Sequence, residues 1–116
     1  MTVDQMLWHV NQALASAIGD IQVPRQKSPI PAAILRFFVV NVPWPKGSPT
    51  HPSYIAGRRY DFDTERARCL ELVDAFCCKD IDSSWPESPS FGRVSGRFQS
   101  RLQAKHLDHH LKQFSA

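Results

Sequence analysis

The chain has 116 residues, of which 42% are apolar and 22% charged, with a net charge of +3. These values fit one folded domain spanning residues 1–116 and exclude a disordered tract. No apolar run approaches the roughly 18 residues of a membrane span, and no secretory pattern follows Met1, so a cytoplasmic, non-membrane protein is expected. Arg25, Lys27, Arg36, Lys46, Arg58, Arg59 and Arg93 are scattered rather than striped, which argues against nucleic acid as a partner. The three cysteines, Cys69, Cys77 and Cys78, form no disulfide framework and suit a reducing compartment. Their expected role is packing within a helix.

In chain order, the first predicted helix covers Val3 to Ile18. Thr2 and Gln5 have capping-box spacing, Val3, Met6, Leu7, Val10, Leu14, Ala17 and Ile18 form an apolar stripe, and Gly19 is a stop. After a proline-bearing link, the apolar run at Ala32 to Val40, interrupted only by Arg36, predicts a short buried helix. Asn41 to Tyr60 contains four prolines and two glycines, and therefore reads as a long surface loop placed to cover a site. A third helix is capped by Asp61 or Asp63 and carries Ala67, Leu70, Val73, Phe76 and Cys77 at helical spacing as far as Cys78. A second punctuated loop leads to Ser95, where the last helix begins and runs to about Phe114. The class is all-α, read as an antiparallel four-helix bundle.

The last helix holds "KHLDHHLKQF", with three of the five histidines. At about 100° per residue, with Phe98 as zero, His106 falls near 80° and His110 near 120°, between Leu102 near 40° and Phe114 near 160°. Gln113 and Gln103 share this inward arc, Leu107 and Leu111 border it as packing residues, and Asp108 and Lys112 face solvent. His109, near 20°, sits at the border of the charged face. Imidazoles at i and i+4 meet on one side of a helix, the arrangement by which a helix chelates a transition metal. A hydrogen-bonded network with Gln103 and Gln113 is the structural alternative. A metal needs a third ligand from His9, His51, the cysteines or the carboxylates. Of these, His9 flanks the stripe of the first helix, and His51 lies in the loop, where exposure is the default. Trp8 and Trp44 are candidates to line a pocket.

"MTVDQMLWHVNQAL" together with "KHLDHHLKQF" resembles the DinB/YfiT-like family of metal-binding four-helix bundles. The likeness is greatest to a DinB-like subgroup sharing "PWPKG", "WPESPSFGRVSG" and "HLDHHLKQF" in this order. The resemblance implies a divalent ion, commonly zinc or nickel, held by three histidines, and these correspond to His9, His106 and His110. His109 matches a histidine common beside the last ligand, and Gln103 and Gln113 are candidates to orient the ligands. Relatives include transferases and isomerases that use low-molecular-weight thiols, and they often form homodimers. Family members usually carry a further helix before the one bearing the first histidine, so the resemblance implies one of three arrangements: a chain whose native start is earlier, a bundle completed by Ala32 to Val40 in place of that helix, or one completed by a second subunit. Thiol transfer or hydrolysis of a small molecule is the expected chemistry. The alternative is a non-catalytic bundle with a structural metal or a purely associative role.

Overall fold

The computed structural model describes residues 1–45 and 50–115. Lys46 and Gly47 of "PWPKG" lie outside the described residues, as do Ser48, Pro49 and Ala116. Four helices follow one another as α1 (Val3–Ile18), α2 (Ala32–Asn41), α3 (Phe62–Cys78) and α4 (Gly96–Gln113), with a 3-10 turn at Pro52–Tyr54. No strand is present among the described residues, only an isolated bridge between Ser88 and Gly92. The molecule is an all-helical bundle.

Local chemistry sets the helix ends. The Thr2 amide donates to Gln5 Oε1 at 2.9 Å, which forms the Gln5 half of the capping box. Gly19 ends α1 in the left-handed region, at φ 87°, and its cap amide returns to Ala15 and Ser16 carbonyls. Asp61 accepts from the Thr64 amide at the start of α3, and Ser95 accepts from the Phe98 amide at the start of α4.

The central element is α1, which contacts α3, α4 and the 3-10 turn. Against α3 it buries Leu14 and Ala15 with Leu72, flanked by Ile18, Ile21, Cys69, Val73 and Phe76. Asn11 Nδ2 donates to the Glu65 carbonyl at 2.9 Å, which fixes the register of the two helices. At its start α1 is tied to the loop, where buried Asp4 accepts from Arg59 Nη2 at 2.9 Å and the Tyr60 amide at 2.8 Å. These bonds, led by the one to Arg59, hold the Asp4 carboxyl far below the usual carboxylate range.

Several packing expectations fail for a common reason: periodicity locates a face but not a neighbour. Among the described residues α2 makes its helix contacts with α4 alone, so it is not the buried helix expected. Ile34, Phe37 and Phe38 are about half exposed, at 47%, 59% and 53%. On α3, Leu70 is exposed and Leu72 takes the core position. Cys69 packs against the core, whereas Cys77 and Cys78 are exposed. Leu111 and Phe114 are also exposed.

Candidate metal centre

Three imidazoles converge between α1 and α4. His9 Nε2 lies 2.9 Å from His106 Nε2 and 3.1 Å from His110 Nε2. The α1 position is set by burial of Met6, Val10 and Ala13 on either side of His9, and the α4 pair by the i, i+4 spacing that also buries Leu102. One ligand nitrogen from each histidine falls within 4.8 Å of the others, and among the described residues no other group of three or more His, Cys, Asp or Glu side chains gathers in this way. Nitrogens held at 2.0–2.1 Å on a tetrahedral ion are separated by about 3.3 Å, so the three are close enough to bind one metal ion.

Hydrogen bonds behind the rings decide where the lone pairs point. His9 Nδ1 is 2.8 Å from the Tyr54 carbonyl, which only accepts, so Nδ1 carries the proton and Nε2 the lone pair. His110 Nδ1 donates to Gln113 Oε1 at 3.0 Å, which leaves the His110 lone pair on Nε2 as well. In the neutral state these two acceptors face each other with no hydrogen between them. His106 can donate to one of them, and a cation among the rings would satisfy all three. A metal-binding histidine characteristically gives its other N–H to a carbonyl or amide oxygen, as both of these do.

Protons are poor candidates for that cation. Burial pushes the pKa of His9 down despite the opposing Tyr54 bond. His106 is pushed well below the ordinary value, by burial first and then by His9, His110 and His109. For His110, burial likewise outweighs the Gln113 bond. In the metal-free protein the unfolded chain takes up protons near 6.5, before the folded one does. Stability is therefore full above that value and is lost as the pH falls through the lowered folded values. Denaturant midpoints measured in chelator from about pH 8 to pH 5 are expected to fall on acidification, and less steeply in His106→Asn. A midpoint that rises over this window contradicts the assignment.

The other sequence candidates divide. Gln113 reaches His110, while Gln103 Nε2 donates to Gln99 Oε1 at 3.2 Å rather than to a histidine of the triad. The His109 ring stands 5.1 Å from that of His110 and 5.3 Å from that of Trp44. Trp44 also leans on His106, with ring centroids 5.9 Å apart. Trp8 instead stacks on Tyr60, away from the site, at 5.0 Å. His51, expected to be exposed, is buried: its Nε2 donates to the Pro24 carbonyl at 2.8 Å and its Nδ1 accepts from the Ser53 amide. The Tyr54 carbonyl escapes sequence reading because every residue carries a carbonyl. Only the 3-10 turn aims this one at His9.

A cavity of about 790 Å³ opens beside the triad, within the range of small-molecule sites. Described residues of the 41–60 segment, among them Trp44, Thr50, His51 and Tyr54, form part of its wall. Comparison with family models, curated proteins and solved structures gave no match.

Proposed function

We propose that the chain is a DinB-like protein that binds one divalent ion, zinc or nickel, through His9, His106 and His110. In this reading it acts on a small molecule held in the adjoining cavity, by thiol transfer or hydrolysis. The observation that carries the reading is the convergence of the His106 and His110 ring nitrogens on His9 Nε2, with the outer nitrogens of His9 and His110 already satisfied. No fourth His, Cys, Asp or Glu joins the three among the described residues, which supports a site with positions open to water or substrate rather than a closed structural one.

An ion held by three neutral imidazoles keeps its full charge and supplies Lewis acidity that lowers the pKa of a water or thiol bound to it. The chain's own groups arrange that chemistry. Tyr54 and Gln113 fix which nitrogens face inward, and Trp44 packs against the His106 ring. His109 borders the cavity beside them, placed to meet whatever enters.

Thermal unfolding tests the ion. At a free zinc or nickel concentration about 1,000 times the dissociation constant, binding adds about 4 kcal/mol to stability. For a chain of this size that raises Tm by roughly 15 °C. The shift is expected to disappear in the His9→Ala/His106→Ala/His110→Ala variant. An equal shift in that variant overturns the reading.

A further inference from the structure

All five histidines of the chain, His9, His51, His106, His109 and His110, line the one cavity. Among the described residues no Asp, Glu, Lys or Arg side chain lines it, and the α-amino group of the chain belongs to Met1, a lining residue that is 65% exposed. Its remaining surface is largely aliphatic and aromatic, formed by residues such as Leu35, Phe38, Val39, Phe91 and Leu102. Two cations adjoin the walls without facing the space. Lys105 Nζ donates to the Val39 carbonyl at 2.9 Å and to that of Val42, and it lies over the Trp44 ring. Arg36 donates to the Phe91 carbonyl, also at 2.9 Å. Both hold the backbone of the wall in place, and neither offers its charge to a ligand.

A charged group carried deep into such a space gives up hydration and meets no charged side chain among the described residues, which is unfavourable. The exception is the triad, where a bound ion provides positive charge. Beside it, Gln103 is buried at 6% exposure, and among the described residues its Oε1 accepts no hydrogen bond. Once the amide turns toward the cavity, an uncharged N–H or O–H on a ligand finds a partner there.

From the composition of these walls we infer that the cavity takes a small molecule with an uncharged, largely apolar body and a single metal-binding headgroup directed at His9, His106 and His110. The headgroup rests on the metal reading above, and the class of the body rests on the walls alone. A thiol with several charged groups, such as a peptide thiol, is excluded, and an aryl or alkyl thiol is accepted.

The test uses the uncharged fluorophore phenylnaphthylamine on the full chain, metal-free and zinc-loaded, with benzyl mercaptan and glutathione as competitors. The dye is expected to bind both forms. Phe38→Ala, which removes a wall ring, weakens dye binding by about tenfold. Phe37→Ala, on the exposed side of α2 and outside the cavity, leaves it unchanged. Benzyl mercaptan displaces the dye from the zinc-loaded protein at least about tenfold more effectively than glutathione. Absence of dye binding, equal loss in the Phe37 and Phe38 variants, or displacement by glutathione as effective as by benzyl mercaptan overturns the inference. Failure of the metal reading leaves a separate signature. In that case dye binding still depends on Phe38, but benzyl mercaptan competes equally well in the zinc-treated wild type and in His106→Ala.

Discussion

Replacing His106 with alanine is expected to weaken zinc or nickel binding by about a hundred- to a thousandfold. Structural zinc sites with four ligands contribute about 10–16 kcal/mol, roughly 2.5–4 kcal/mol per ligand, and each 1.4 kcal/mol is a factor of ten. His9→Ala and His110→Ala should show losses of the same order, since each contributes one of three ring nitrogens that lie within 4.8 Å of one another. The series should grade outward from there. Gln113→Ala removes only the hydrogen bond that orients His110, and such partners typically account for 10- to 100-fold in affinity. His109→Ala removes a ring that touches His110 and Trp44 without a nitrogen in the triad, and should change affinity by less than about threefold. Competition titration with a chromophoric chelator measures the whole series. His9→Gln and His106→Gln, which keep a polar side chain of similar reach, separate ligand loss from misfolding. A His9 variant that binds as tightly as wild type removes α1 from the site.

Gly96→Ala is expected to destabilise the fold by about 3 kcal/mol, at the upper end for overpacking. Gly96 is the first residue of α4, and a methyl group there would run into the Ile81 carbonyl oxygen and the Trp85 indole nitrogen. Neither obstacle yields easily. One is backbone, and the other belongs to a buried indole that donates to the Asp80 carbonyl at 3.1 Å and packs on Phe76 of α3. The close approach thus docks the start of α4 on the segment after α3, and the resulting placement brings His106 and His110 to His9. Loss of about 3 kcal/mol is a large part of the 5–15 kcal/mol that holds a domain together. Gly57→Ala is the control: nothing lies within 4 Å of the added methyl, so a change within about 0.5 kcal/mol is expected. Urea unfolding of the two variants decides the point. Equal midpoints would show that α4 can shift at Gly96 without cost.

Much of this was legible in the sequence where local chemistry decides. The bounds of α1, α3 and α4 follow from Gly19, Asp61 and Ser95, whose capping depends only on neighbours in the chain. The inward aim of His106 and His110 follows from helical geometry, which is equally local. Features needing a distant partner were not legible. The wheel places Leu111 and Phe114 toward a core, yet both are exposed, since a wheel records direction and not whether another helix extends that far. The apolar run of α2 reads as buried, but the helix leans on α4 alone. His51 is buried by a carbonyl 27 residues earlier in the chain, and nothing in the loop sequence signals that bond. Nothing in the sequence around Gly96 marks it as indispensable, and its necessity appears only when the Ile81 backbone is seen against it.

Metal content of the untagged protein addresses the central claim most directly. After reconstitution with zinc or nickel and removal of free ion, elemental analysis is expected to give one ion per chain for the wild type and none for the His9→Ala/His106→Ala/His110→Ala variant. A wild-type protein that retains no stoichiometric ion, or a variant that retains as much, would contradict the assignment of His9, His106 and His110 as a metal centre.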